Sequence, residues 1–351
     1  MKKIALFLAI ALIAGLFAGC AGTTVIINEC TCPGNLAHEP QGTEATEPPV
    51  EGELKTGLAI VATASGENAA KVEYDVTVVA VLVDGNGVIR DCIIDSLGPK
   101  VTFGEDGVIT SDLEAPVLTK NELGYDYNMI TYGGAKYEWF EQAQALADYA
   151  VGKTVEELEN GAVDETGKAP AGSDLATVAT IKLGGYVDAI EAAVNNAQFL
   201  GAEAGDELKL AVIPTLASSK SATEEAAGLA QLDCDAVALT VKDGVITSCY
   251  IDSLQAKVNF DATGTITSDL TAPLLTKNQL GSGYNMVAYG GAKAEWNEQA
   301  ASFAAYVTGK TAAEVAGIAV AEGKPADADL ATSVTIKVDG FQALIAKALA
   351  E

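Results

Sequence analysis

Histidine and arginine are almost missing from this chain: its 351 residues hold one of each, His38 and Arg90. Ser-His-Asp and Cys-His catalysis and His-ligated zinc all need an imidazole in a packed pocket, and His38 lies in a Pro/Glu/Thr-rich stretch, so the composition argues against an ordinary hydrolase or zinc enzyme. Basic residues are few altogether, 21 against 48 acidic ones, for a formal charge of −27. Nucleic-acid binding rests on Lys and Arg neutralising phosphates, so such a surface excludes that class of partner. The acidic charge by itself reads as a solvated, self-repelling surface. Aromatic residues are scarce at 6%, whereas 49% of the chain is hydrophobic and 35 residues are glycine. A folded body packed largely with Ala, Val, Leu and Ile follows.

What the chain has is one passage written twice. Residues 88–158 return at 245–315: Thr119, Trp139 and Lys153 are answered by Thr276, Trp296 and Lys310 at a constant offset of 157. That period lies outside the solenoid range of roughly 20–50 residues, so each copy is expected to bury its own core. The length suits two domains at roughly 100–200 residues each. Repeats at 54–200 and 207–351, joined by a short linker around 201–206, are the expected organisation.

At the amino terminus Lys2 and Lys3 precede an apolar run over 4–17, the pattern of a secretory signal. It ends in Phe17-Ala18-Gly19-Cys20, which resembles the lipobox of bacterial lipoproteins, whose cysteine is lipidated and becomes the first residue. A signal peptide over 1–20, a lipid on Cys20 and a place on the outer face of the cell membrane are therefore expected. The alternative is an ordinary signal peptide or short membrane helix, although the run is shorter than the roughly 20 residues of a span. Residues 21–53, with Pro33, Pro40, Pro48 and Pro49, read as a flexible tether. Cys30 and Cys32 form a C-x-C pair there, either a metal clip or thiol pair, or two unstructured cysteines.

Inside each repeat a Val/Thr-rich strand (75–83, 236–241), a turn (84–87, 242–244) and a second strand (88–94, 245–251) spell a hairpin. Cys92 and Cys249 occupy the same place in the second strand and read as small buried residues. With the turn at Asp243-Gly244, position 249 falls opposite 238, about 13 Å along the strand from Cys234, too far for a disulfide. Asp95 and Asp252 end the second strand, as cation or ligand contacts or as turn formers. Thr119-Lys-Asn-Glu122 and Thr276-Lys-Asn-Gln279 fit the capping box and start short helices. A helix over about 136–150 shows its inner face in Trp139, Ala143, Leu146 and Ala150. Glu138 and Gln142, like Glu295 and Gln299, would bind a ligand or tie down a loop. Gly152-Lys-Thr154 and Gly309-Lys-Thr311 look like the end of a Walker A loop, but its upstream glycine is Ala147 or Ala304. Helix punctuation explains them better. Residues 332–338 alternate as a strand, before closing helices near 186–197 and 341–350.

Tyr132 and Tyr289 stand beside Gly-Gly pairs, near Trp139 and Trp296. Together they make the one aromatic-lined candidate pocket, or alternatively a core satellite under a loop. The D-G-x-I…I-D hairpin, the Asp-x-Ala-Thr segment and the closing Ala-rich helix, behind a lipoprotein signal, resemble the bacterial FMN-binding domain family. The match extends to duplicated, lipid-anchored members of anaerobic Gram-positive bacteria. The resemblance implies an α+β fold of two tandem FMN-binding-like domains, each an antiparallel sheet with helices packed on it. It implies FMN as cofactor, extracytoplasmic electron transfer, and a flavin transferase and redox partner. On the matching positions Thr177 and Thr332 would carry the phosphate end, preceded by Asp174 and Asp329. Trp139, Trp296, Tyr132 and Tyr289 would shield the flavin ring, and Lys120 or Lys277 would meet the phosphate. Where the family has Ser-Gly, this chain has Asp174-Leu175 and Asp329-Leu330. That departure supports the alternative, a non-redox surface lipoprotein binding a small ligand or cell-envelope partner. Whether the protein is an enzyme stays open at this level.

Overall fold

A computed structural model of the protein describes residues 52–350. Cys20, Cys30, Cys32, His38 and nearly all of the expected tether lie outside those residues.

The Val- and Thr-rich runs become long antiparallel strands. β1 (Glu53–Glu67), β2 (Lys71–Val83), β3 (Ile89–Leu97) and β4 (Lys100–Thr102) belong to the first repeat; β6 (Glu207–Thr215), β7 (Gly228–Lys242) and β8 (Val245–Phe260) belong to the second. β8 is unbroken where the first repeat has two strands. There Gly98-Pro99 replaces Gln255-Ala256, and proline brings no N–H to a ladder. Half of the stretch read as a linker, and the end of the expected first repeat, form another strand, β5 (Gln198–Glu203), which pairs with β1. The sheets run β3-β2-β1-β5, with β4 on β2, and β6-β7-β8.

Helices follow the strands in the same order in each repeat. The first has α1 (Lys120–Leu123), α2 (Met129–Gly133), α3 (Trp139–Ala150), α4 (Val155–Ala162), α5 (Leu175–Val178) and α6 (Gly184–Asn195). The second has α7 (Lys277–Leu280), α8 (Trp296–Val307), α9 (Ala312–Ala316), α10 (Leu330–Ser333) and α11 (Asp339–Ala350), plus a two-stranded ribbon of β9 (Val320–Ala321) and β10 (Lys324–Pro325). Complete capping boxes at Thr119, Thr154, Thr276 and Thr311 set four of the starts. Gly152 and Gly309, at φ 83° and 85°, turn the chain after α3 and α8. Their N–H groups bond Ile89 and Ile246 carbonyls at 2.8 Å, which is punctuation and strand pairing.

Strand alternation sorts the core into layers. Along β2, Val72, Tyr74, Val76 and Val78 face one way, while Val79, Val81 and Val83 face the other. The first set meets the second sheet in a cluster to which both repeats contribute, including Leu232, Leu254 and Phe260. Each repeat was expected to bury its own core, and on this side it does not. A single sheet has two apolar faces and its helices cover only the outer one. Phe103 and Phe260, equivalent residues of the two repeats, stack on each other with centroids 4.1 Å apart and planes within 2°. Turn contacts are reciprocal: Ala69 N donates to Gly264 O at 2.7 Å and Ala222 N to Gly107 O at 2.8 Å. On the outer faces each repeat keeps a separate core, one around Trp139, Leu146 and Ile190, the other around Trp296, Phe303 and Leu344. The architecture is mixed α+β, two antiparallel sheets face to face with helices outside.

Two local expectations need correction. Residues 334–338 form no strand. Gln299 Oε1 instead accepts from Thr335 N (2.8 Å), Thr335 Oγ1 (3.0 Å) and Ile336 N (3.2 Å), so one side chain replaces a neighbouring strand. Gln142 serves Thr180 and Ile181 in the same way. Cys249 lies opposite Leu239, not Ala238, because an irregularity at Thr240/Val241 shifts the register by one. Cys234 faces the core between the sheets and Cys249 the helix-side core, so the two thiols lie on opposite faces of the sheet; both are free.

Candidate functional site

The capping box at Thr119 fixes the first turn of α1 over the end of β3. Asp95 Oδ1 accepts from Asn121 N at 3.1 Å and from Ser96 N at 2.7 Å. Asp252 does the same for Asn278 and Ser253 in the second repeat, so both aspartates are structural anchors with their partners in place. Burial nevertheless outweighs those bonds and raises both carboxyls to about 6.

That anchoring leaves the next side chain, Lys120 or Lys277, lying along the sheet toward the start of α3 or α8. Lys120 Nζ is 5.0 Å from the centre of the Trp139 ring and 5.5 Å from that of Tyr127. Lys277 Nζ stands 4.8 Å from Trp296 and 5.5 Å from Tyr284. Glu138 holds the tyrosine-bearing loop against the helix: its carboxylate accepts from Met129 N at 2.8 Å and Ile130 N at 3.0 Å. Glu295 repeats this with Met286 and Val287. Of the two readings given to these glutamates, loop tethering is the one the geometry fulfils.

The acidic partner of the lysine comes from β2 or β7. Val78 faces Asp95 and Ala236 faces Asp252, so these strands correspond at an offset of 158, one more than elsewhere, because the second turn is shorter. Asp75 is thereby equivalent to Asp233, and Thr77 to Asp235. Burial lowers the Lys120 amine from its ordinary value, against the upward pull of Asp75 and Asp95. Lys277 is lowered likewise, against Asp235, Asp233 and Asp252. No ion pair among the described residues engages either ammonium.

In the first repeat these groups line a cleft of about 450 Å³ bounded by Asp75, Lys120, Tyr127, Met129, Trp139 and Tyr186. A neighbouring hollow of about 530 Å³ shares Asp75, Lys120 and Tyr127. The Trp139 indole N–H donates to Tyr186 Oη at 2.9 Å. Phe341 packs edge-on to Trp296 in that place, and Asp235 stands where the first repeat has Thr77, so the second site has an extra carboxylate and two hydroxyls fewer.

Of the residues expected at a site, the structure brings together Lys120 with Trp139 and Lys277 with Trp296. The others lie elsewhere. Tyr132 and Tyr289 are 85% and 88% exposed. Thr177 and Thr332 are exposed, and their hydroxyls donate to the Asp174 and Asp329 carbonyls at 2.6 Å. Asp174 and Asp329 are exposed residues preceding one-turn helices. In the first repeat neither Thr177 nor Tyr132 lines the cleft, so the cleft and the threonine that the family resemblance points to are separate places. Asp75 and Asp233 were missed, since the offset that aligns the repeats elsewhere pairs Asp75 with Leu232. Compared with models of protein families, with curated proteins and with solved structures, the chain matches none.

Proposed function

We propose that the protein is a binding protein of the outer membrane face, held there by lipidated Cys20, whose two repeats each take up a small zwitterion of the amino-acid type. One observation carries the reading: in both repeats a half-buried ammonium, free of any described ion pair, lies over a tryptophan beside an aspartate of the facing strand. A ligand carboxylate would take the Lys120 or Lys277 ammonium, and its own ammonium would take Asp75 or Asp233. Its apolar part would rest on the Tyr, Trp and Met129 wall. An ammonium that is partly desolvated gains more from an incoming carboxylate than one in open water.

Trp139 and Trp296 are the only tryptophans, so emission excited where tyrosine does not absorb reports on the two sites. Titrating purified protein with the twenty amino acids should give a saturable emission change for a subset. Lys120→Met together with Lys277→Met should abolish it at unchanged melting temperature. Trp139→Phe and Trp296→Phe should leave one site readable at a time. If no amino acid changes the emission, the proposal fails. The second reading, flavin carriage, is favoured by the exposed threonines Thr177 and Thr332 at matching places. Its signature is separate: absorbance near 450 nm that stays with the protein, lost with Thr332→Ala.

A further inference from the structure

A further cleft lies beside α8 of the second repeat. α3 and α8 present equivalent outward faces, but where α3 carries Phe140, Gln144 and Asp148, α8 carries Asn297, Ala301 and Ala305. In the first repeat Gln144 Nε2 donates to Asp148 Oδ1 at 2.7 Å, and Phe140 packs edge-on to Tyr125. Among the described residues no such pair covers α8. Its trimmed face looks across to β5, the strand that follows α6. Between them lies a cleft of about 620 Å³. Phe199 and Leu200 of β5 and the alanines of α8 form its apolar walls, with Tyr250 and Cys249 of β8 on its floor. Its neutral polar side chains include Gln198, Asn278, Asn297 and Thr308, beside one carboxylate, Glu298. The Asn297 side-chain oxygen is buried and without a hydrogen-bond partner. A buried acceptor left unmade costs roughly 1–3 kcal/mol, so it marks where a donor belongs.

We infer that this cleft is a separate binding site for a neutral small molecule with an apolar, flat body and one N–H or O–H donor. The donor meets Asn297 Oδ1 and the body lies between Phe199 and the alanines of α8. Anions are excluded: Glu298 is the charged group in the lining, and the chain carries −27. The volume falls within the roughly 300–1,000 Å³ range of small-molecule sites.

The probe is N-phenyl-1-naphthylamine, which is neutral, apolar and carries a single N–H, and whose fluorescence rises out of water. The full chain should bind it saturably, one per molecule. Ala301→Gln with Ala305→Asp restores the residues of α3, which that helix already accommodates, and should weaken binding at least tenfold at an unchanged melting temperature. Ala301→Leu with Ala305→Leu fills the same space without polarity and should block the probe too. Lys120→Met with Lys277→Met should leave it bound, which keeps this site apart from the zwitterion clefts. No saturable binding to the wild-type chain would overturn the inference. So would binding that survives both alanine-replacing pairs, or that disappears with the lysines.

Discussion

Asp95 and Asp252 show what single buried carboxyls do to the whole protein. Each anchors a helix start, and each is raised to about 6 by burial. A carboxyl whose folded value exceeds its unfolded one contributes stability that is fully present below about pH 4 and is lost as pH rises through about 6. The cost at pH 7 is on the order of 3 kcal/mol per group. Melting temperature should therefore rise from pH 7 to pH 5, and Asp95→Asn with Asp252→Asn should flatten much of that slope. A double variant with the wild-type slope would mean that relief of the general acidic repulsion does everything. Acceptors for Asn121 and Asn278 N–H survive the change, which separates the charge from the anchoring bonds.

Elements were legible in the sequence wherever their cause is local. The capping boxes at Thr119 and Thr276, the turn glycines 152 and 309 and the inner face of α3 depend on neighbours within a turn or two, and all stand where the pattern puts them. Residues 334–338 show the other case. Their alternation is that of a strand, but they join no sheet among the described residues, and a glutamine 36 residues away in sequence takes the backbone donors instead. Gln299→Ala should leave buried donors unmet and cost about 2–4 kcal/mol in urea unfolding, with Gln142→Ala close to it. If both variants cost under half a kcal/mol, water replaces the side chain without loss. The candidate site was half legible for the same reason. Lys and Trp are visible in the repeated passage, but the aspartate opposite them lies on a strand whose offset differs by one, and only the sheet register reveals it.

At the scale of the molecule, the shared core between the sheets couples the repeats. Far-UV circular dichroism, Trp139 emission in the Trp296→Phe variant and Trp296 emission in the Trp139→Phe variant should therefore give a single unfolding midpoint. Two midpoints would mean that the outer, repeat-specific cores hold each half together alone. An ion pair adds to the coupling: Lys347 of α11 reaches Glu122 of α1 at 2.7 Å, and also donates to Val212 O at 2.7 Å. It has no mirror image, since the equivalent of Glu122 is Gln279. The stacked phenylalanines 103 and 260 have a further consequence. A residue that touches its own counterpart is the mark of a self-complementary dimer axis, here drawn inside one polypeptide. In a dimer of identical subunits every substitution appears twice, on both sides of the axis. Joining the halves in one chain removes that obligation, so one side can hold an inherited surface while the other is free to become something else.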